Sequence, residues 1–485
     1  MVRRYSLARW GMAFLLLAAV AVSVAGPGTR QAQAQSVTNQ WRSPQLIAGN
    51  SGVSWPALVN GDADGHVYVV WPGHSTFAPV NAGEDVIFYR AWDGESWSAA
   101  VDVLAVELGE RLLLDTFARD RFGRLLLLWH TSYEFILSVA DPAEADSATA
   151  WESQSLGTGE QFWGGDLVVG ADGTFHVLLA GERQRLFYLQ SADAGRSWTE
   201  EVALNLGEDS NLQIQYPHLA LGSDGVLHAT WTEHDGRYNW IGAAVWYSRS
   251  LNNGRSWEEP TALVQAVGHG ASALTADGQG HVWVFWDRSV GTPDGRYYAY
   301  STDNGATWPP AGPAFSGISG FSGTPYFVRD GDDRLYVFTA GQGPLGSQIW
   351  QTVWDGGGWS LPVAVEVQGK LTGSEVFHVT QAGGNRLLLV WTDYGSSDIW
   401  FTRQDIAARA VANSWLALPT VPPTPTVPPP VTPTPTAAPA NLLSAESLGP
   451  PPSGPITAIS FPLVVAAGAV MLFGLGILLY RERPR

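Results

Sequence analysis

Ser301-Thr-Asp-Asn-Gly-Ala-Thr-Trp308 decides how this chain is read, because the same eight-residue pattern returns at Ser191–Trp198 and at Ser250–Trp257. Within it Ser301, Asp303, Gly305 and Trp308 align with Ser191, Asp193, Gly195 and Trp198, and with Ser250, Asn252, Gly254 and Trp257. A hydroxyl and an Asp or Asn side chain can hydrogen-bond the backbone of a tight turn, and the Gly supplies a positive φ. The closing Trp is then expected to pack back on the strands that the turn joins. The pattern reads as a fastener for a β-hairpin. Shortened versions, Trp92-Asp-Gly-Glu-Ser-Trp97, Ala145 to Trp151 and Trp354-Asp-Gly-Gly-Gly-Trp359, keep the Trp and lose part of the turn.

A second signature, a polar turn leading into an apolar strand, marks the spacing. It runs from Gly65 to Trp71, Gly123 to Trp129, Gly173 to Leu179, Gly225 to Trp231, Gly280 to Trp286, Asp333 to Thr339 and Asn385 to Trp391. The anchors lie 58, 50, 52, 55, 53 and 52 residues apart. Repeats of that length holding four short strands each are the mark of a propeller blade. The anchor strands are apolar on both faces: Val67, Val69 and Trp71 alternate with Tyr68 and Val70. Such strands need cover on both sides, which stacked blades provide. The fold expected is all-β, a seven-bladed β-propeller over residues 35–410. The last repeat lacks its outer strand, and the orphan strand after Trp41 is placed to supply it and close the ring. Six blades, with Ser414-Trp415 as a decayed closing turn, is the alternative.

The pattern Ser-x-Asp-x-Gly-x-Ser/Thr-Trp resembles the Asp box, or BNR repeat, of sialidases and related β-propellers. The resemblance implies a six-bladed ring. It also implies three arginines on a substrate carboxylate, a Tyr–Glu nucleophile pair and an Asp acid/base. The family's Phe/Tyr-Arg-Ile-Pro motif has no counterpart where the first inner strand reads Ser54-Trp-Pro-Ala-Leu58, and Arg183, Arg237 and Arg288 are scattered. By residue type alone Tyr326, Glu233 and Asp115 fill the nucleophile, partner and acid/base roles.

Composition narrows the function. The 485 residues include 23 Trp, no Cys, 27 basic and 45 acidic residues, for a net charge of −18. Disulfides and thiolate metal sites are excluded, and a nucleic-acid partner lacks its basic footprint. Residues 1–34 combine Arg3, Arg4 and Arg9, an apolar run from Met12 to Val24 and the exit Ala32-Gln33-Ala34, which reads as a secretory signal cut after Ala34. Residues 411–455 are rich in Pro and Thr and read as an extended stalk, whose stretch from Pro419 to Pro455 reaches about 100 Å at roughly 3.1 Å per residue. Residues 456–480 are uncharged and apolar, long enough to cross a bilayer. Arg481, Arg483 and Arg485 in residues 481–485 would hold the tail inside and the propeller outside.

In such a ring the box turns lie on one rim, and ligand contacts are expected on the other. That second rim carries His74, His130, Glu233, His234, Asp287, Arg288, Asp393 and Tyr394 after the anchor strands. The inner strands facing them present Asp115, Asp166, Tyr216, His218, Tyr326, Glu375 and His378. Rings beside carboxylates and amides suit sugars. The four histidines in repeat columns, His66 with His281 and His176 with His228, fall in different blades and so do not converge on a metal. No cofactor is called for. The reading is an exported, membrane-anchored propeller that binds an extracellular glycan, polymer or surface protein without catalysis. A surface glycoside hydrolase of sialidase-like type is the alternative, and a protein-organising scaffold a third.

Overall fold

The structure is a computed structural model that describes residues 41–49, 56–75, 85–107, 110, 112–159, 161–207, 209–289, 294–343, 346–367, 377–393 and 395–412. The signal, stalk and membrane-span readings, and with them Glu375, Tyr394 and Ser414-Trp415, lie outside the described residues. No helix among the described residues is long and apolar enough to cross a membrane. The chain divides after Pro419, and the propeller belongs to the first part.

The described strands form seven antiparallel four-stranded sheets. Strand β1 (Gln45–Ala48) precedes the first complete blade, β2 to β5 (Leu58–Gly61, Val67–Gly73, Val86–Trp92, Val101–Ala105). Blade 2 holds β6 to β9 (Leu113–Arg119, Leu125–His130, Glu134–Ala140, Glu152–Thr158), and blade 3 holds β10 to β13 (Gly164–Val169, Phe175–Ala180, Arg185–Ser191, Val202–Leu206). Blade 4 is β14 to β17 (Leu212–Leu221, Leu227–Asp235, Ile241–Ser250, Thr261–Gln265), and blade 5 is β18 to β21 (His269–Ala276, Val282–Arg288, Gly295–Ser301, Gly312–Ala314). Blade 6 is β22 to β25 (Ser319–Arg329, Leu335–Gly343, Gly346–Trp354, Val363–Val365), and blade 7 contributes β26 to β28 (Phe377–Ala382, Arg386–Asp393, Asp398–Asp405). Its sheet runs β1-β28-β27-β26, so the N-terminal strand completes the last blade. Seven blades replace the six of the alternative.

The core explains the spacing. Every residue of β3, β7 and β11 is buried, on both faces, because each sheet is sandwiched between two others. Leu126, Leu128, Phe135 and Leu137 of blade 2 pack into one cluster with Val177, Leu179 and Phe187 of blade 3. Full burial of one such side chain is worth about 1.5–3 kcal/mol, so a blade without neighbours would forfeit its core.

The three full turns use their side chains as the sequence suggests. Ser301 Oγ accepts from Gly305 N at 2.9 Å and donates to Asp303 Oδ1 at 2.7 Å, while Asp303 accepts from Thr307 N and Thr307 Oγ1. Ser191–Asp193–Ser197 and Ser250–Asn252–Ser256 repeat the arrangement. The closing tryptophans pack into clusters that include strands of their own blade, as expected, and they reach further. They also wedge against the preceding blade: Trp308 on Tyr247 at 4.7 Å, Trp257 on Tyr188 at 5.4 Å, and Trp198 through its Nε1 on Gln154. The shortened turns keep this duty. Trp97 meets Phe401 and Trp359 meets Phe285, with Asp93 and Asp355 each capping two backbone N–H groups.

The same rim carries carboxylates that the Asp-Gly signature does not mark. Asp62, Asp120, Asp277 and Asp330 each receive two backbone N–H groups of the turn that follows. After Asp405 the chain continues along this rim. Arg409 donates to Gly331 O, and Val411 N to Gly383 O, so the last described residues lie against the turns of blades 6 and 7.

Candidate functional site

Around the axis, inner-strand side chains hold the neighbouring blade's backbone. Gly165 N of blade 3 donates to Asp115 Oδ1 of blade 2 at 2.9 Å, and Leu219 N of blade 4 to Asp166 Oδ2 of blade 3 at 2.9 Å. Val59 N of blade 1 donates to His378 Nδ1 of blade 7 at 3.2 Å, which joins the ring's first and last repeats. Asn60 Nδ2 reaches Phe117 O at 3.0 Å. A backbone N–H left without a partner in so tight a place would be costly, and these side chains supply the acceptors. Three of the predicted rim residues, Asp115, Asp166 and His378, therefore have a structural duty first.

Of these groups Asp115 also lines a cavity of about 360 Å³ at the rim opposite the box turns. Leu58, Leu113, Asp115, Gly164, Gln215, Tyr216 and Tyr326 come to it from the inner strands of blades 1, 2, 3, 4 and 6, and His130 and Ser132 from the end of β7. Phe162 and Trp163, in the loop entering β10, add two rings, and Gln161 adds an amide. The sequence reading chose this rim, and named Asp115, His130, Tyr216, His218 and Tyr326, all of which line the cavity. It missed Gln161, Phe162, Trp163 and Gln215, although the run Gln161-Phe-Trp-Gly-Gly165 directly before an inner strand was the available signal.

Asp115 is the most constrained ionisable group of the cavity. Its Oδ2 lies 2.7 Å from His130 Nδ1. Burial pushes its carboxyl above the ordinary carboxylate range, against the pull of His130 and of the Gly165 N–H. His130 Nε2 is buried without a partner, beside the Phe135 ring at 4.7 Å. His218 faces Asp166 at 3.4 Å. Tyr326 stands edge-on to Phe377 and His378, each 5.1 Å away, and burial drives the His378 imidazole down to about 4.

The other rim residues are dispersed. Glu233 does not line the cavity: it accepts from Gln184 Nε2 of blade 3 at 2.7 Å, and burial raises its carboxyl. It thus stands apart from Tyr326 and Asp115, which share the cavity wall. His234 Nδ1 meets Trp240 O at 2.9 Å, and its imidazole is lowered by burial. Asp287 is buried, its carboxyl pushed up to about 6, opposed by the fully buried Arg296. Arg296 crosses to Gly323 O and Thr339 Oγ1 of blade 6. Arg288 is paired in register with His269, and Asp393 caps its own hairpin through Gly395 N and Ser396 Oγ. His74 follows the end of β3 at the same rim. Among the described residues neither Arg183, Arg237 nor Arg288 lines the cavity. Tyr394 and Glu375 fall outside the described residues.

The column histidines are placed blade by blade. His176 bonds Tyr188 Oη at 2.6 Å and His228 bonds Tyr247 Oη at 2.7 Å, while His66 and His281 meet Asp62 and Asp277. Among the described residues no group of three or more His, Asp or Glu could hold a metal ion.

No protein-family model and no curated protein sequence matches the chain. Solved structures do. An ulvan lyase of polysaccharide lyase family PL25, solved bound to -[GlcA(1-4)Rha3S]-, is 13% identical over 75% of this chain and 95% of its own, with a TM-score of 0.52. The polysaccharide lyase Uly1 is 11% identical over 78% of this chain and 94% of its own, with a TM-score of 0.50. A Hadza microbial sialidase, Hz136, is 12% identical over 67% and 74%, with a TM-score of 0.42. At such identities the likeness is one of fold: the chain is a seven-bladed β-propeller, and its fold is similar to that of the two polysaccharide lyases.

Proposed function

We propose that this chain is a cell-surface propeller that binds a glycan in the axial cavity without turning it over. Residues 1–34 export it, residues 411–455 space it from the membrane, and residues 456–480 anchor it. The Ser191, Ser250 and Ser301 turns are Asp boxes in a structural role. The observation that carries the reading is the cavity wall. Trp163, Tyr216 and Tyr326 offer ring faces to the apolar side of a sugar, and Gln161, Gln215, Ser132 and His218 offer hydrogen bonds to its hydroxyls. The carboxylates nearby are engaged in holding blades together.

A second reading, glycoside hydrolysis, draws on one feature: Asp115 has a carboxyl raised by burial, as an acid needs, and lies against His130. One experiment separates the two. The full-length chain is assayed on a glycan array and, in parallel, on fluorogenic sialosides and other glycosides. Binding without turnover, weakened at least tenfold by Trp163→Ala and by Tyr326→Ala, is the expected result. Turnover that disappears with Asp115→Asn replaces it with the hydrolase reading, and silence in both assays redirects the search to a protein partner.

A further inference from the structure

The cavity is not the end of the polar and aromatic surface on its rim. Blade 4 is built from longer strands than its neighbours on this side: β14, β15 and β16 have ten, nine and ten residues, against six or seven in β10, β11 and β12. The register shows where the extra length goes. Leu212 pairs with Asp235 and Gln215 with Thr232, so the added residues extend past Tyr216 on the cavity side. The β15–β16 hairpin therefore overhangs the rim next to the cavity, and at its tip it carries Tyr238 and Trp240, 53% and 38% exposed.

The tip is organised to display them. Asn239 and Trp240 both have positive φ, 61° and 56°, in a region that a bulky residue seldom adopts. Asp235 fixes the turn from below: its carboxylate accepts from Arg237 N and Arg237 Nε, and its carbonyl accepts from Trp240 N at 3.0 Å. Gly236 lies under the Trp240 indole so closely that a Cβ there would stand 3.0 Å from Cζ2 and 3.2 Å from Cε2 and Cη2. The indole is thus supported by glycine backbone and still open to solvent. Held in this way, an aromatic ring is a platform for the apolar face of a sugar. The ring also connects to the cavity. Trp240 O bonds His234 Nδ1, and the His234 ring lies 5.9 Å from Tyr216, which lines the cavity and has itself a positive φ of 51°.

We infer that the blade 4 hairpin is a second subsite for the same ligand, so that the protein reads an oligosaccharide long enough to run from the axial cavity across Tyr216 onto Trp240 and Tyr238. This deepens the glycan-binding reading and rests on it. A unit in the cavity and a unit on the platform belong to one chain, so the second contact forms at high effective concentration and strengthens binding without a second ligand.

The test is a length series. Cello-oligosaccharides and chito-oligosaccharides, from one unit to six, are titrated calorimetrically against the full-length chain and against Trp240→Ala, Gly236→Ala and Trp163→Ala. The expected result is at least a tenfold rise in affinity between the shortest oligomer that binds and the longest. Trp240→Ala removes that gain and leaves the shortest oligomer's affinity unchanged. Gly236→Ala, which keeps the indole but lifts it from its seat, has the same effect and guards against a trivial loss of one ring. Trp163→Ala weakens every length, because it acts in the cavity. Affinity that is independent of length, or a Trp240→Ala variant that lowers all lengths alike, overturns the second subsite and leaves the cavity reading in place. Binding that is indifferent to Trp163→Ala, or no binding by any member of either series, overturns both.

Discussion

At the scale of the residue, the box glycines combine two uses that a sequence cannot tell apart, a left-handed backbone and a close approach. Gly305 has φ +73°, and a Cβ built on it would overlap the Tyr247 hydroxyl of the preceding blade; Gly254 stands in the same relation to Tyr188. Gly305→Ala should cost more than about 2 kcal/mol in urea unfolding, since it adds strain and a clash with a buried side chain. The residue before the glycine is left-handed too. Asn253 and Asn304 suit that conformation, but blade 3 has Ala194 there at φ 64°. Ala194→Asn should still lower stability by about 1 kcal/mol or more, because Ala194, unlike Asn253 and Asn304, is buried in the apolar cluster of blades 2 and 3, where an added amide is desolvated; a raised melting temperature would refute it. The pattern was legible as a turn, and its partner was not. Nothing in Ser301 to Trp308 says that its Trp leans on Tyr247, because that contact is set by the stacking of blades.

At the scale of the element, the deciding feature is the seam. Strand β1 pairs with β28 through Gln45, Leu46 and Ala48, Arg42 bonds Asp405, and Thr402 Oγ1 donates to Arg42 O. Removing residues 35–48 would turn β28 into an exposed edge, which invites pairing with another chain. That truncated chain should melt at a clearly lower temperature and elute as dimers or larger species in size-exclusion chromatography. A monomer of unchanged stability would show that the seam is dispensable. The seam could be read from the sequence because its two halves each lack what the other has. The anchor dipeptides were less faithful guides. Asp62, Asp120, Asp277 and Asp330 do the capping ahead of them, and blades 3 and 4 have Gly170 and Gly222 at that place, with Asp172 and Asp224 capping instead. A column whose job moves by two residues shows no common letter. The cavity was legible only as a rim, for it is assembled from inner strands roughly a blade apart in sequence, and which entry loops lean inward depends on the closed ring.

At the scale of the whole molecule, pH acts through buried groups of opposite sign. His176 and His228 are fully buried, and burial lowers both imidazoles to about 4. Between that value and the usual 6.5 of an unfolded chain, the native state binds fewer protons than the unfolded one, so stability falls as the pH drops through this window. Asp287, raised to about 6, works the other way, since its protonated form is favoured in the fold and stability falls as the pH rises from about 4 to 6. The His378 imidazole, also lowered to about 4, and those of His234 and His269, lowered too, act with His176 and His228, and the imidazoles outnumber the raised carboxyls of Asp287, Asp115 and Glu233. The melting temperature should therefore decline on acidification from neutrality to about pH 4, the decline should be shallower in His228→Gln, and Asp287→Asn should steepen it. A flat profile in the parent chain would dismiss this balance.

The path of the chain beyond Asp405 bears on how the propeller withstands load. Arg409 and Val411 are laid along the turns of blades 6 and 7, on the rim away from the cavity, so a load applied at Ala412 acts first on that rim. The first bonds to yield would be those of Arg409 and Val411, and force would then pass into β28. In a ring closed without β1 that strand would be an edge, held by the single row of hydrogen bonds to β27. Because β1 flanks it on one side and β27 on the other, drawing it out breaks two rows of hydrogen bonds at once.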